Sequence, residues 1–358
     1  MSATTSMKAV ITTGDGKVVL QSIPKPKPGP GQILVKVFAA AQNPSEWMKV
    51  QNFITKGVVT GHDYAGVVEE IGDGVPEGTR HIGERVAGFV NACMSNDLGG
   101  SFAEYTVADA QIFIPLPDDV SFEDAATLGL AGFTACQTLW QYRDLPTPLE
   151  PVDQENSFPI LVWGGATAVG QFTIQLAKLS GLRVITTASP KNHDLMKQLG
   201  VDGVVDYKGS DSEVVGKIKA AMGSDNLFQA ADCVGNEDSA QKISLCFGKE
   251  GGHVVSVLPT SSERSDVKSD LPFVYTLLGK VLEPPYPPIY QRPAIPEHYE
   301  LGMRFGKILS RLLEEKKLKT IPVKLVPNGL ADVQRWIEYQ KEGNVSAEKI
   351  VYRIAETP

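Results

Sequence analysis

Phe158 to Tyr207 constrains the fold more tightly than any other stretch of the chain. Ile160-Leu161-Val162-Trp163 is an apolar run between Pro159 and a glycine pair, the pattern of a buried strand. Gly164-Gly165-Ala166-Thr167-Ala168-Val169-Gly170 follows as a turn of small residues. Gln171 to Leu179 places apolar residues at 172, 174, 176, 177 and 179, which predicts a helix closed by Ser180-Gly181. Arg183 to Thr187 is the next strand. Strand, glycine-rich turn, helix, strand is a unit that receives phosphate. The helix N-terminus offers unpaired N–H groups and the positive end of its dipole, and small residues allow close approach.

The usual G-x-G-x-x-G spacing is not met, because Thr167 or Ala168 stands where the middle glycine would be. On the turn alone, a plain glycine-containing strand-to-helix corner reads the same way. The end of the next strand separates the two readings. A turn built for NAD carries an Asp or Glu about 20 residues on, to hold the ribose 2′-hydroxyl. Here the strand runs into Thr187-Ala188-Ser189-Pro190-Lys191-Asn192, with no acid but with a hydroxyl, a cation and an amide. That set suits a 2′-phosphate. Tyr207, after a third strand over Gly203 to Asp206, adds a hydroxyl. The cofactor read from these residues is NADPH. Taken singly, Lys191 reads equally as a solvated surface lysine and Tyr207 as a packed aromatic.

With 358 residues the chain has room for two domains. Its net charge of −8 argues against general affinity for nucleic acid or anionic membrane, so any anion site must be local. No apolar run approaches the length of a membrane span. Met1 to Ser6 lacks the basic and apolar regions of a secretory signal, so a cytoplasmic location is expected. Cys93, Cys136, Cys233 and Cys246 form no C-x-x-C pair and read as buried free thiols.

Along the chain, Met7 to Leu20 alternates around Gly14-Asp15-Gly16, a hairpin signal. Pro24 to Gly31 is a stiff extended connector, Ile33 to Ala41 a strand, and Asn43 to Trp47 a turn. Gly61 to Gly72 is a second dense patch, and Gly83 to Gly88 and Gly100 to Tyr105 follow as glycine-punctuated strands, the rhythm of a small β-barrel or sandwich. Ser121 opens a helix, and Ala125 to Leu139 is rich in small residues. After Tyr207, helix and strand alternate through Leu258, which predicts a parallel, doubly wound sheet. Leu271 to Glu297 is apolar and proline-rich, and reads equally as a loop over a cleft or an ordinary connector. His298 to Glu315 and Leu330 to Gln340 are amphipathic helices, and Lys349 to Ile354 is a final strand.

Taken together, G-H-D-Y-A-G-V-V-E-E-I-G (61–72), G-E-R-V-A-G (83–88), G-S-F-A-E-Y (100–105), A-G-F-T-A-C-Q-T-L (131–139) and the turn at 164–170 resemble the medium-chain dehydrogenase/reductase family. The match follows the family's order over nearly the whole chain. The resemblance implies an α/β architecture. A GroES-like β domain (1–129, completed by 276–358) would carry an inserted doubly wound Rossmann domain (130–275) that binds NADPH, with the active site in the cleft between them.

Zinc divides that family. Its zinc alcohol dehydrogenases place a cysteine after the third strand, a histidine in a G-H-E patch and a second cysteine before the Rossmann domain. Here the first position is Asn43, His62 is followed by Asp63, and only Cys93 lies where a four-cysteine lobe would be. A catalytic zinc needs about three protein ligands plus an open site. One histidine does not supply them, so no metal is expected and His62 reads as a hydrogen-bonded structural residue. Without a Lewis acid nothing stabilises an alkoxide, whereas reducing a conjugated C=C asks only for a few donors to the enolate.

Within the zinc-free branch, N-P-S-E-W (43–47), W-G-G-A-T-A-V-G (163–170), T-A-S-P-K-N-H-D-L (187–195), D-Y-K (206–208), Phe273 to Leu278 and N-V-S-A-E-K (344–349) look most like the trans-acting enoyl reductases of fungal polyketide pathways. In that group a separate NADPH protein reduces an enoyl thioester tethered to the acyl carrier domain of a polyketide synthase. The resemblance implies that Ser45, Glu46, Trp47 and Met48 line the nicotinamide. Ala166, Thr167, Ala168 and Val169 would cradle the pyrophosphate. Ser189, Pro190, Lys191, Asn192 and Tyr207 would hold the 2′-phosphate. Val257, Leu258, Val345 and Ser346 would wrap the nicotinamide. Phe133, Thr134, Ala135, Cys136, Gln137, Thr138 and Leu277 would face the acyl chain. Thr134 is the catalytic candidate, orienting cofactor and substrate; a hydroxyl bonded back within its helix reads equally well.

Mitochondrial-type enoyl reductases of the family use a tyrosine donor shortly after the N-P-x-D turn. Here that stretch is Val50-Gln51-Asn52-Phe53, and Phe53 cannot donate, so the sequence identifies no proton donor. Two other functions fit the same residues: a stand-alone quinone or enone reductase on free small molecules, and a non-catalytic NADPH-binding pathway protein. The strand over His253 to Leu258, which would pair across a dimer, is followed by Pro259 and the polar run Thr260 to Asp270. Proline and charge blunt a sheet edge, so a monomer is expected.

Overall fold

The computed structural model describes residues 6–52, 55–93, 99–223, 226–283 and 285–358. Phe53, Pro284 and nearly all of the N-terminal stretch from Met1 to Ser6 lie outside them. The chain divides into two units, one of Met1–Leu130, Tyr275–Lys316 and Thr320–Pro358, the other of Ala131–Val274 with Lys317–Lys319.

In the second unit, Pro159–Trp163 is buried along its whole length, as a continuous apolar run with parallel partners on both sides must be. The six-stranded sheet runs in the order Gly203–Val205, Arg183–Thr187, Pro159–Trp163, Gln229–Asp232, Gly252–Ser256, Val267–Asp270. The chain steps outward from Pro159–Trp163 to Gly203–Val205 and then returns to the other side with Gln229–Asp232. Leu161, Ile185, Val214, Ile218, Ala230 and Ile243 pack one core of this unit.

The polar run after Pro259 ends differently from its expectation. Val267–Asp270 pairs in parallel with Gly252–Ser256, so the latter strand is internal and the sheet edge lies one strand further out. Its sequence hid it because only Val267 of the four residues is buried, and a polar strand is what a solvent-facing edge selects. The reasoning that took Gly252–Ser256 for the edge therefore falls.

The first unit is built on Gln32–Ala41. One side of this strand pairs antiparallel with Asp63–Ile71. Its other side is shared: residues 32–36 pair with Tyr105–Asp109 and residues 39–41 with the C-terminal strand Lys349–Arg353. Val323–Val326, Arg85–Phe89 and Ile114–Pro115 extend this sheet, and Ser6–Thr13, Val18–Pro24 and Lys56–Val59 make a separate three-stranded one. Gly66 is required where strands 32–41 and 63–71 cross, because a Cβ there would stand 2.0 Å from the Lys36 carbonyl oxygen.

Two local readings change. Asn43 to Trp47 does more than turn, since Pro44–Asn52 is a helix with proline in its first turn, where a missing N–H costs nothing. Gly100 to Glu104 is not strand; the ladder begins at Tyr105. Gly100 instead packs against the chain at Val59 and Thr60, where a Cβ would meet the Thr60 carbonyl oxygen at 2.3 Å. Among the described residues no helix is long and apolar enough to cross a membrane.

Candidate functional site

The turn after Pro159–Trp163 explains its unusual glycine spacing. Gly164 takes φ +79°, a conformation open to glycine at little cost. A Cβ on Gly165 would fall 2.2 Å from Thr186 Oγ1, and one on Gly170 would fall 2.3 Å from the Gly164 carbonyl oxygen. These three positions carry the tight turn and the close helix–strand packing. Thr167 stands at the helix N-cap, where its hydroxyl accepts from the Gly170 N–H at 2.9 Å. The helix Ala168–Leu179 thus starts one turn beyond the strand, with Ala166 to Val169 half-buried at its N-terminus. The small side chains and unpaired first-turn N–H groups fit a pyrophosphate. The turn sits at the carboxyl end of Pro159–Trp163, where the strand order reverses, and ligands of open α/β sheets settle there.

On one side of that crevice, Arg183–Thr187 and Gly203–Val205 are parallel neighbours with Thr187 opposite Val205. Their carboxyl ends release Ser189-Pro190-Lys191-Asn192 and Tyr207 side by side. Lys191 is exposed and Tyr207 is 39% exposed, so neither is a packing residue. Asn192 Nδ2 donates to Ser189 Oγ at 3.3 Å. Asp206 brings an acid to this region, but its carboxylate accepts from the Lys208 N–H at 3.1 Å.

On the other side, Val257 and Leu258 follow Gly252–Ser256. Val257 N–H donates to the Asp232 carbonyl at 3.0 Å, and Leu258 packs on Gly235 closely enough that a Cβ there would be 2.6 Å away. Asp232 organises this loop: its buried carboxylate accepts from Val234 N–H and Gly235 N–H, each at 3.0 Å, and from Ser239 Oγ at 2.6 Å. Burial raises its pKa despite these donors. The sequence reading missed Asp232, although a carboxylate at a strand end before V-G-N is a recognisable loop-tying pattern.

In the first unit the helix Pro44–Asn52 turns its charged residues inward. Glu46 is wholly buried. Its carboxylate accepts from the Asn43 N–H, from the His62 N–H at 3.1 Å, and lies 2.7 Å from His62 Nδ1. Desolvation pushes the Glu46 carboxyl up to about 7, and burial pushes the His62 imidazole well below its usual value, which keeps that ring neutral. Lys49 is also buried. Its Nζ donates to Asn91 Oδ1 at 2.9 Å, the Ala92 carbonyl at 3.1 Å and the Tyr286 hydroxyl at 3.2 Å, and stands 3.9 Å from the centre of the Tyr275 ring. Desolvation brings the Lys49 ammonium down to about 7. Tyr286, from the proline-rich stretch, is buried and donates to Asn91 Oδ1. Asp63 pairs with Lys349, both buried, and also accepts from Asn43 Nδ2 and the Leu130 N–H. Sequence reasoning missed this cluster. Asn43 to Trp47 reads as a turn in the sequence, with Glu46 expected to line the nicotinamide; the helix instead buries Glu46 and Lys49.

Ser45, Trp47 and Met48 are half-buried on that same helix, as are Val345 and Ser346 in the loop before Lys349. Phe133, Ala135, Cys136, Gln137 and Thr138 are fully buried in the helix Gly129–Trp140; Thr134, 9% exposed, is the one of the six with measurable exposure. Leu277 is buried and packs against Gly302.

The donors do not suit a catalytic zinc. His62 Nδ1 is engaged by Glu46, Asp63 is engaged by Lys349, and among the described residues no three His, Cys, Asp or Glu side chains converge.

Comparison with known proteins agrees with this geometry. Residues 29–118 match the alcohol dehydrogenase GroES-like domain and residues 168–272 the zinc-binding dehydrogenase domain. The chain is 37% identical over 351 residues to the trans-enoyl reductase ACTTS2 of Alternaria alternata, covering 97% of this chain and 98% of that one. It is 35% identical over 327 residues to the trans-enoyl reductase buaC of Petromyces alliaceus, covering 90% and 89%. The quinone oxidoreductase from Coxiella burnetii superposes with a TM-score of 0.69 at 26% identity over 98% of this chain and 99% of that one. The CurK enoyl reductase shares the fold, with a TM-score of 0.74 at 17% identity over 96% and 98%. Fold and domain matches together define a nicotinamide-dependent oxidoreductase of the medium-chain dehydrogenase/reductase class. Within that class the chain belongs to the trans-enoyl reductase family.

Proposed function

We propose that this chain is an NADPH-dependent enoyl reductase that acts in trans, in the cytosol, on the α,β-double bond of an acyl chain carried by a polyketide synthase. Full-length kinship with trans-enoyl reductases carries this reading, at 37% identity over 351 residues. Bound nicotinamide would supply the hydride for the β carbon. Ala166 to Val169 would bind its pyrophosphate, and Ser45, Trp47, Met48, Val257, Leu258, Val345 and Ser346 would position its ring. Thr134 would orient the substrate, with Leu277 and the helix around Phe133 to Thr138 shaping the acyl site. The side-by-side release of Ser189–Asn192 and Tyr207 supports a 2′-phosphate there.

Replacing Lys191 with Met and Tyr207 with Phe together should raise the Kd for NADPH about tenfold relative to NADH, the scale of a charge-assisted hydrogen bond at an exposed site. Fluorescence titration of both cofactors measures it, and an unchanged preference removes the 2′-phosphate assignment. The function itself is tested by NADPH oxidation with an α,β-unsaturated acyl-pantetheine thioester and a free enone side by side. The likeness to a quinone oxidoreductase at 26% identity favours the second reading, a reductase of free small molecules. Turnover mainly with the enone would select it, and tight NADPH binding without any turnover would leave a non-catalytic binder.

A further inference from the structure

Four donors converge on the carboxylate of Asp232. Its Oδ1 accepts from the Val234 and Gly235 N–H groups at 3.0 Å each, and its Oδ2 accepts from Ser239 Oγ at 2.6 Å and from Ser256 Oγ at 3.4 Å. Its backbone carbonyl accepts from the Val257 N–H at 3.0 Å. The side chain is fully buried, and among the described residues no cation pairs with it. Burying a carboxylate without a cation costs free energy. It suits a place where every partner donates, because a carboxylate only accepts and has room for about four hydrogens, whereas an amide accepts at one end and donates at the other.

The place of Asp232 in the sheet gives that bonding a consequence. Asp232 pairs with Trp163 on one side and with Ser256 on the other. It therefore ends a middle strand. One neighbouring strand leads into the phosphate turn at Gly164, and the other leads into Val257 and Leu258. The two residues whose N–H groups it holds touch both flanks. A Cβ on Gly164 would stand 2.5 Å from Val234 Cγ2, and a Cβ on Gly235 would stand 2.6 Å from Leu258 Cβ and 2.8 Å from Leu258 N. Gly235 takes φ +71°, which glycine adopts at little cost, and Asn236 then caps the helix Glu237–Cys246. Val234 and Gly235 thus form a two-residue bridge from the phosphate turn to Leu258, and the Asp232 carboxylate fixes its shape.

We propose that Asp232 is a positioning residue for the cofactor: it sets the gap between the pyrophosphate turn and the Val257–Leu258 loop, and so the reach of the nicotinamide half from the pyrophosphate. The proposal rests on the cofactor reading above. Asp232 acts through Val234 and Gly235. The residues assigned to the 2′-phosphate, Ser189 to Asn192 and Tyr207, follow strands on the other side of Pro159–Trp163 and lie outside the bridge. Loosening the bridge should therefore weaken a ligand that spans the turn and the Val257–Leu258 loop, and spare one that stops at the turn.

Calorimetric titration of the full chain with NADPH and with adenosine 2′,5′-bisphosphate, which ends at its 5′-phosphate, tests this. Asp232→Ala strands two N–H groups and should raise the Kd for NADPH about tenfold, while the Kd for the bisphosphate moves by less than about twofold. Asp232→Asn keeps one oxygen for both N–H groups, and Ser239 Oγ still has the Asn236 carbonyl at 2.8 Å to donate to. Its NADPH Kd should return to within about threefold of the wild type. Gly235→Ala leaves the carboxylate in place but drives a methyl group into Leu258; it should reproduce the selective loss, and it carries the test if Asp232→Ala does not fold. An equal loss of both ligands in Asp232→Ala or Gly235→Ala is what a merely structural role gives, and overturns the proposal. An NADPH Kd unchanged in both variants overturns it too, as does Asp232→Asn binding as weakly as Asp232→Ala. A wild-type chain that binds the bisphosphate but not NADPH, or binds neither, sinks the cofactor reading itself and the positioning role with it.

Discussion

Lys349→Met should lower the unfolding free energy by about 3–5 kcal/mol, the cost of stranding a buried charge. Lys349 and Asp63 are both buried, and the pair joins the C-terminal strand to the strand Asp63–Ile71 across the central strand Gln32–Ala41. Asp63 also accepts from Asn43 Nδ2 at 3.0 Å and from the Leu130 N–H, so the carboxylate cannot retreat to water without breaking the local fold. Burial raises the Asp63 pKa even with Lys349 beside it, so desolvation outweighs the pair's attraction. The double variant Asp63→Asn with Lys349→Met should recover most of the loss, because the amide keeps an acceptor for Leu130 and leaves no charge behind. Urea unfolding of the three variants measures this. A single-variant cost below about 1 kcal/mol, the surface-pair range, would show that water reaches the site.

Glu46→Gln should shift the stability of the protein by an amount that depends on pH. The carboxyl titrates at about 7 when folded against 4.5 in a free chain. Between those values the native state still holds a proton that the unfolded chain has released. The wild type therefore loses stability as pH rises through that window and levels off above pH 7. Glutamine does not titrate and still accepts from Asn43, but an amide nitrogen facing His62 Nδ1 no longer accepts from the His62 N–H, a cost that does not change with pH. The difference in unfolding free energy, variant minus wild type, should rise by about 3 kcal/mol from acid pH to above neutrality. Lys49 slopes the other way. Its pKa is depressed from 10.5 to about 7, so its contribution is lost as pH falls from the first value to the second. It is present in both proteins and cancels in the difference to first order. A difference that stays flat between pH 4 and 8 would mean that Glu46 titrates in the folded protein as it does in a free chain.

Much of the second unit was legible because its signals are local. A buried parallel strand is a continuous apolar run, so Ile160 to Trp163 announced itself, and the helix after it shows its period within nine residues. The glycine turn was legible as a turn but not in its logic. That Gly165 faces Thr186 and Gly170 faces Gly164 depends on distances no spacing rule contains. Val267–Asp270 escaped notice because an edge strand facing water has no apolar pattern to show. The helix Pro44–Asn52 escaped because N-P-S-E-W ranks as a turn on local chemistry, and its helical state is fixed by the inward anchoring of Glu46, Lys49 and Val50.

What the sequence alone determined is therefore most of the order of elements, the glycine-rich strand-to-helix corner and the family. These rest on residue types at short spacing, where sterics and hydrophobic period act within a few positions. Only the tertiary structure decided which polar side chains are removed from water. Glu46, Lys49, His62 and Asp63 meet Asn91, Tyr275, Tyr286 and Lys349 from up to 286 positions away. The electrostatics of that cluster come from desolvation, and desolvation is a property of the packed volume around a group rather than of the residues beside it in the chain.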